Sequence, residues 1–543
     1  MSGPEQIPLP TDAAARAQVE ELMGHLTARD FDADRIARFA ALCERMRADI
    51  DLDSRVALAG ALRRNPPIGD TIRVHSVLFQ LTGDLYHYER ILHYLLFGIE
   101  EVAPELLHYT YWCLQRQLFM GRAAPDRAAA FGPCDLFRFY QAMVGTLARR
   151  WSLAPARRAP RPGAIRRVAV VTNQFTGDGH QPTRDAFDIA ARLQDDHGLE
   201  VAIINANLMP LRIENLFIPP MVVEMVERYE GVRFVEMFGK RVKMASFTGR
   251  AFDRAKLADI VTTVDEYDPD VVIAFGGSNI VGDLFALNRA RPVVCVPTTS
   301  GLTIALADIL LGFDEHDYTA AIPALYRAPF ARRFRPFSFG YTLPPTDEAA
   351  TGDAGSGPGD AGSGDAPFVF AVVGTRLDQE ADAAFLGLAE EVLDRCPGAV
   401  VAFAGHVQAL PQRLAASRHA GRLRCLGHVA DIRAFYRRCG ALLNPQRQGG
   451  GASAAYALAE GLPVVTFAGG DVASVAGPLS RVPDRDAYVG RAAALFADPA
   501  LRAAQAAQGR ERFATVVDRR HSIDRLLAYA EEARALSAAE ESP

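Results

Sequence analysis

The sequence predicts an α/β protein in which an all-helical segment precedes two doubly wound parallel-sheet domains. In residues 1–153 the apolar side chains recur at helical spacing. In residues 164–345 and again in 368–543, short runs of valine and isoleucine alternate with amphipathic stretches. That alternation is typical of a parallel sheet whose two faces are covered by helices. These observations predict three domains, with a flexible linker or insertion at 346–367.

Composition excludes several classes of protein. The chain has 543 residues, of which 49% are hydrophobic and 23% charged, as in ordinary globular proteins. Its formal net charge of -6 argues against a dedicated nucleic-acid binder. The longest apolar runs fall short of the ~20 residues that a membrane helix needs, and the first residues do not resemble a signal peptide. Seven dispersed cysteines without a CxxC pair indicate a reducing compartment, so we expect a cytoplasmic protein without an integral membrane segment.

The first block is predicted to be helical throughout. Ile36, Phe39, Leu42 and Met46 repeat at helical spacing, and residues 78–117 are rich in leucine and aromatic side chains. Nothing in this block assembles into a catalytic group. It is the candidate region for oligomer formation.

The second block predicts strands within 167–173, 200–206, 270–276 and 291–298, with helices at 182–197 and 279–289. A stretch rich in proline and arginine, 154–163, separates it from the helical block. The stretch that follows it, 346–367, consists largely of Gly, Ala, Ser and Asp, which favours a flexible segment.

The third block repeats the pattern more regularly. Its predicted strands are 368–373, 399–404, 423–426, 441–444 and 463–467, and a long helix from 519 to about 536 follows them. Ligands of open parallel sheets lie at the carboxyl ends of the strands. The loops after the strands are therefore where functional residues are expected.

A glycine-rich loop is the strongest local signal. Gly449, Gly450 and Gly451 follow a predicted strand, and Ala452 and Ser453 open a helix. Such a loop lets backbone N–H groups approach an anion at the positive end of the helix dipole, and Arg447 just upstream offers a charged hydrogen bond to phosphate. The loop lacks the residue order of a Walker A motif or a dinucleotide fingerprint. A plain strand–loop–helix turn of small residues is the alternative.

Four segments of the third block, in order, carry a resemblance to a known family. They are 373–381, 426–446, the glycine-rich helix start and 458–475. Together they resemble the nucleotide-sugar domain of GT-B glycosyltransferases of the group 1, family-4-like type. The second block is similar in layout to the acceptor-side domain of that fold. The helical segment ahead of it resembles that of some bacterial protein glycosyltransferases.

The resemblance implies a set of donor-binding residues. Arg376 stands where a basic residue meets the donor diphosphate, and Arg447 would replace a lysine that the sequence lacks. The 427–429 turn matches the segment that reads the nucleotide base. Gln448 and Tyr456 occupy the places of two glutamates common in retaining members. The full donor-binding set is Thr375, Arg376, Gly427, His428, Val429, Arg447, Gly449, Gly450, Gly451, Ala452, Ser453 and Asp471.

The acceptor side offers a histidine as the candidate catalytic base. His180 lies in a glycine-bracketed loop after the first strand of the second block, with Asp178 and Asp185 near it in sequence. An aspartate that orients the imidazole would let it deprotonate an acceptor hydroxyl. The alternative is a loop histidine at a helix start. A second candidate acceptor loop, or an ordinary β–α turn, consists of Gly276, Gly277, Ser278 and Asn279.

The resemblance implies a hexosyltransferase-like enzyme. It would move a sugar from a nucleotide-diphospho-sugar to a protein, polysaccharide or lipid-linked acceptor, with His180 and Arg376 as catalytic residues. No metal or other cofactor is expected, because Arg376, Arg447 and the helix dipole would carry the leaving-group charge. A non-catalytic nucleotide-sugar-binding partner of an active transferase, and an epimerase or phosphorylase on the same fold, remain alternatives. Sugar, base, acceptor and stereochemical outcome stay open.

Overall fold

The structure is a computed structural model. It describes residues 12–28, 32–64, 71–119, 132–158, 161–177, 179–210, 216–222, 225–249, 251–299, 303–312, 331–344 and 367–539. The predicted linker lies outside these residues except for Pro367.

The described residues before the first sheet form helices and their connections, without a strand. Their bounds are Ala13–Thr27, Ala33–Asp49, Leu52–Arg64, Thr71–Thr82, Leu85–Phe97, Pro104–Phe119 and Gly132–Trp151. The first four helices bury a separate cluster around Phe39 and Leu78, which Phe217 joins from later in the chain. The last three pack instead against one face of the first sheet, and Tyr140 and Val272 belong to one continuous core. The helical segment is thus fixed to the sheet by apolar burial.

The first sheet has eight strands in the order β3-β4-β2-β1-β5-β6-β7-β8. All neighbours are parallel except the β3–β4 hairpin. The strands are β1 Arg167–Thr172, β2 Glu200–Asn205, β3 Gly231–Met237, β4 Lys240–Ser246, β5 Val271–Phe275, β6 Val293–Val296, β7 Ile309–Gly312 and β8 Phe334–Pro336. Its helices are Gln181–Asp195, Arg254–Tyr267 and Ile280–Leu287.

The second sheet has six strands in the order β11-β10-β9-β12-β13-β14, all parallel. They are β9 Val369–Val373, β10 Val400–Ala404, β11 Leu423–Gly427, β12 Ala441–Leu443, β13 Val464–Phe467 and β14 Arg481–Val482. The helices of this part are Leu377–Glu380, Ala383–Arg395, Leu410–Ala415, Ile432–Arg437, Gly451–Ala459, Gly470–Ala476, Arg485–Ala497, Pro499–Arg512 and Arg519–Ala539.

These elements confirm the predicted fold class, an α/β chain with two parallel-sheet regions after a helical region. The β3–β4 hairpin, β7, β8 and β14 are additions that the sequence did not predict. Among the described helices, none is long and apolar enough to cross a membrane.

The last helix, Arg519–Ala539, packs across the first sheet domain, although its sequence position predicts that it belongs to the second. Arg335 donates to Glu532 (Nε to Oε1, 2.9 Å), and Arg534 donates to the carbonyl oxygens of Arg161 and Gly163. Its apolar residue Leu526 shares one cluster with Val168 of the first sheet and Val369 of the second. The helix therefore ties the two sheets together.

Candidate functional site

Both sheets reverse their strand order at their first strand. In the first sheet β1 lies between β2 and β5, and in the second β9 lies between β10 and β12. At such a switch point the loops after the two neighbouring strands separate and leave a crevice. The loops after β9 and β12 carry Arg376 and the glycine triplet, and those after β1 and β5 carry His180 and residues 276–279. The predicted donor residues thus lie at the switch point of the second sheet, and the predicted acceptor residues lie at the switch point of the first.

A buried carboxylate joins two arginines in the second crevice. Glu380 bonds to Arg376 (Nη2 to Oε1, 2.8 Å) and to Arg447 (Nη1 to Oε2, 2.8 Å). Burial opposes ionisation of Glu380, but Arg447 and then Arg376 outweigh it, and the pKa of this carboxyl is lowered. The Arg376 side chain is 37% exposed, whereas that of Arg447 is 4% exposed. Only Arg376 is therefore open to a ligand as the structure stands.

Arg447 is held by the protein itself. Besides Glu380, it donates to Asn444 Oδ1 from Nε and to the Val373 carbonyl oxygen from Nη2, both at 2.8 Å. A side chain at Gly374 or Gly450 would collide with its guanidinium group. This arginine links the loops after β9 and β12, which is a structural role that its sequence position did not indicate.

The glycine triplet opens the helix Gly451–Ala459 as predicted. Gly450 caps it with φ of 98°, in the left-handed region, and without a side-chain cap. A Cβ at Gly449 would lie 2.8 Å from Nη2 of Arg376, and one at Gly451 would clash with the Tyr341 hydroxyl and approach Asp471. Ala452 and Ser453, half-buried, form the first turn, and Thr375 is exposed beside Arg376. The glycines thus let backbone and arginine approach closely.

Two histidines stack at the edge of this crevice. His428 lies parallel to His406, with ring centroids 5.0 Å apart and an interplanar angle of 9°. Gly427 precedes His428 with φ of 67° and accepts a bond from Gly405 N–H (2.8 Å). Sequence reasoning missed His406, although a Gly-His-Val triplet stands at the carboxyl end of both β10 and β11. Val429, half-buried, completes the predicted base-reading turn.

His180 is half-buried at the N-cap of the helix Gln181–Asp195 and makes no side-chain cap bond. Its Nδ1 lies 2.9 Å from Thr183 Oγ1, and its Nε2 lies 3.5 Å from Gln174 Nε2. Burial lowers the pKa of His180 to about 4. The imidazole is therefore neutral at physiological pH and able to accept a proton.

The expected aspartate partner of His180 is not Asp185. Asp185 is buried and bonds to Gln181 Nε2 (3.0 Å) and to Arg519 of the last helix. Burial raises its pKa even though Arg519 favours the charged form. Thr183 takes the place beside Nδ1 that the sequence assigned to a carboxylate. Asp178 lies outside the described residues.

The 276–279 loop is held from two sides. The Ser278 hydroxyl bonds to Tyr111 of the helical segment. The Asn279 side chain accepts from Gly282 N–H (3.0 Å) and donates to the Val171 carbonyl oxygen (2.8 Å). Asn279 is thus a helix cap, while Gly276, Gly277 and Ser278 line a cavity.

This cavity lies between the helical segment and the carboxyl ends of β1, β5 and β6. None of its described lining residues is charged. Its walls are Trp112, Gln115, Phe119, Thr172, Asn173, Gln174, Pro182, Met209, Met221, Phe275, Gly276, Gly277, Ser278, Pro297, Thr298, Thr299, Thr303 and Ile304. Another cavity, about 310 Å³ and bordered by Leu479 and Arg512, lies elsewhere and contains none of the predicted site residues.

The two crevices meet across a cleft. Tyr456 of the helix Gly451–Ala459 donates to Gln181 Oε1 (3.4 Å), next to His180. Arg376 lies over the ring of Phe119, 5.1 Å from its centroid, and Phe119 also lines the uncharged cavity. Within the described ranges, no group of three or more His, Cys, Asp or Glu side chains is placed to hold a metal ion.

Comparisons with known proteins give matches among solved structures. No family profile and no curated protein matches the chain. An O-GlcNAc transferase mutant of Thermobaculum terrenum is 16% identical, covers 97% of this chain and 99% of its own, and has a TM-score of 0.47. A glycosyltransferase of Rickettsia africae is 9% identical over 68% of this chain and 99% of its own, at 0.47. WaaG, a glycosyltransferase of lipopolysaccharide biosynthesis, is 14% identical over 67% and 99%, at 0.40.

Proposed function

We propose that the chain is a glycosyltransferase that moves a sugar from a nucleotide-diphospho-sugar to a hydroxyl group of a protein, polysaccharide or lipid-linked acceptor. One observation carries the proposal. An arginine-and-glycine crevice at the second sheet lies across a cleft from a neutral, partly buried histidine at the first, with Tyr456 and Gln181 in contact between them.

Arg376 and the start of the helix Gly451–Ala459 are assigned to the donor diphosphate. The Arg376 side chain is 37% exposed, and the missing side chain at Gly449 leaves room for its Nη2 atom. A guanidinium and a helix N-terminus both stabilise the negative charge that develops on a departing diphosphate. The proposal therefore places the leaving-group charge on protein groups rather than on a metal ion. Arg447 and Glu380 hold Arg376 and the two loops in place.

The imidazole of His428, backed by His406, is assigned to the nucleotide base. Parallel rings form a flat platform on which another ring stacks favourably. The turn at 427–429 adds backbone groups at the same edge of the sheet.

His180 is assigned as the base that accepts the proton of the acceptor hydroxyl. For Nε2 to have a free lone pair, Nδ1 must carry the proton and donate it to Thr183 Oγ1, 2.9 Å away. The Thr183 hydroxyl oxygen can accept that bond, so the contact is compatible with the tautomer that catalysis needs. The acceptor hydroxyl would enter from the uncharged cavity beside Gln174.

One observation favours a second candidate, a non-catalytic nucleotide-sugar-binding partner. Gln448 and Tyr456 stand where the resemblance implies carboxylates, and Tyr456 is buried against Gln181. Such a partner would bind nucleotides without turnover.

The test is incubation of the purified full chain with a panel of nucleotide sugars, with and without cell lysate, followed by mass spectrometry. Sugar added to an acceptor, or slow donor hydrolysis that His180→Ala abolishes, supports the transferase. Nucleotide binding by calorimetry without either product supports the non-catalytic partner. Interconversion of the sugar without an acceptor would indicate an epimerase.

A further inference from the structure

One aromatic side chain of the helical segment reaches the second sheet domain. Phe119 is the last residue of the helix Pro104–Phe119, and Arg376 follows β9. The guanidinium carbon of Arg376 lies 5.1 Å from the centroid of the Phe119 ring. A cation at that distance over an aromatic face is attracted by the ring's negative face. The contact joins two domains that are far apart in sequence.

Three groups restrain the Arg376 side chain. Glu380 holds it through a 3.0 Å bond to Nε and a 2.8 Å contact with Nη2. The backbone at Gly449 approaches Nη2 closely, since a Cβ there would lie 2.8 Å away. The Phe119 ring provides the third restraint. Glu380 and Gly449 belong to the same domain as Arg376, whereas Phe119 does not.

We propose that Phe119 is a positioning residue that holds Arg376 in its diphosphate-binding orientation, so that the helical segment contributes to donor affinity. The proposal rests on the proposed function, because it requires that Arg376 binds the donor phosphates. A guanidinium that is fixed before the ligand arrives loses less rotamer entropy on binding. Since Phe119 also lines the uncharged cavity, it is a side chain shared by both binding places.

The experiment measures nucleoside diphosphate and nucleoside affinity by calorimetry on the full chain. Uridine, guanosine and adenosine diphosphates are screened first, and the one that binds is used with its nucleoside. Phe119→Leu is expected to weaken diphosphate binding about two- to five-fold, the range for an exposed cation–π contact, while nucleoside binding is unchanged. Phe119→Tyr keeps an aromatic ring and is expected to bind like wild type.

A double variant and a control variant distinguish a positioning role of Phe119 from direct ligand contact or a role in folding. In Arg376→Ala protein, adding Phe119→Leu is expected to change diphosphate affinity no further, because the ring then has no guanidinium to hold. Phe97→Leu, at an 88% exposed phenylalanine of the same segment, is the matched control and is expected to have no effect.

Unchanged diphosphate affinity in Phe119→Leu would overturn the inference. Equal losses with and without Arg376 would also overturn it, since they would mean that Phe119 contacts the ligand itself or supports the fold. Wild-type protein that binds none of the nucleotides would instead contradict the proposed function.

Discussion

The two crevices occupy the same topological position in the same kind of sheet, yet one is lined by charged side chains and the other is not. In the second sheet, two arginines and a carboxylate gather around the switch point, and one guanidinium is open to solvent. In the first, the described cavity wall is uncharged, and the ion pair of Asp185 with Arg519 is buried. The fold provides a crevice in both cases, and the side chains in the strand-end loops decide what it binds. The proposed function assigns the donor diphosphate to the crevice of the second sheet and an uncharged acceptor hydroxyl to that of the first.

The largest expected effect concerns the first crevice. His180→Ala should lower kcat by about 10²–10⁴-fold, as loss of a general base does, while nucleotide affinity stays normal because the donor lies across the cleft. Since burial lowers the pKa of His180 to about 4, the neutral base persists as pH falls, and the rate should decline only near pH 4. Rates at saturating donor from pH 4 to 8 measure both effects.

His93→Ala, at an exposed histidine of the helical segment, is the control for that prediction. Full activity of the His180 variant would move the catalytic role elsewhere, first to the 276–279 loop. A rate decline centred near pH 6.5 would mean that the imidazole is solvated during turnover.

Arg447→Ala tests whether the second crevice is built on a buried ion pair. Removing one partner leaves Glu380 buried with less compensation, so the free energy of unfolding should fall by about 3–5 kcal/mol. Urea denaturation measures the loss, and Glu380→Gln in the same chain should recover part of it. Unfolding at the wild-type urea concentration would show that Arg447 is free to serve the ligand directly.

Arg376→Ala, in the same cluster, should lower nucleotide affinity and leave the stability of the fold nearly unchanged. Its half-exposed side chain contributes little to the fold, but loss of a charged hydrogen bond to phosphate costs about 1.5–3 kcal/mol, or about ten-fold or more in affinity. Calorimetric titration with a nucleoside diphosphate measures this. Arg418→Ala, at an exposed arginine of the same domain, should leave affinity unchanged. If both variants bind like wild type, Arg376 is not the phosphate residue.

Gly450→Val should cause the smaller of the two expected stability losses. Sequence reasoning alone predicts lost nucleotide binding with an unchanged melting temperature. In the structure Gly450 has φ of 98°, and a Cβ would lie 2.6 Å from the Arg447 guanidinium carbon, so a stability loss of about 1–3 kcal/mol is also expected. Thermal unfolding measures it. Gly421→Ala, where a Cβ meets nothing within 4 Å, is the control, and an unchanged Gly450→Val midpoint would contradict the prediction.

Much of the fold could be predicted because its buried strands are continuous runs of valine, isoleucine and alanine. The strands β1, β2, β5, β6, β9, β10, β12 and β13 fall where such apolar runs lie, whereas β11 (Leu423–Gly427) is mostly half-buried and carries an arginine. The β3–β4 hairpin was missed because it forms the sheet edge, where the alternation of Arg241 and Lys243 with apolar residues does not give a buried run. The strand β14 has only two residues, too few to give a pattern.

The site was predictable only where local sequence determines it. The glycine triplet and Arg376 follow their strands directly, so the rule that loops after parallel strands line the crevice gives their position. The partners of Arg447 and Asp185 were not predictable, because Glu380 lies 67 residues from Arg447 and Arg519 lies 334 residues from Asp185. Local sequence did contain the signal for His406, in the repeated Gly-His-Val triplet.

Because the last helix packs on the first sheet, the first sheet domain cannot complete its fold early in synthesis. Domains generally fold in order as they leave the ribosome. Here the surface of the first sheet domain that receives Arg519 and Leu526 stays uncovered until the whole second domain has been translated. The counterion of Asp185 is Arg519, which is translated more than 300 residues later. Nascent chains stalled before residue 519 should therefore be more sensitive to protease in the first sheet domain than the released protein, although that domain is already fully translated.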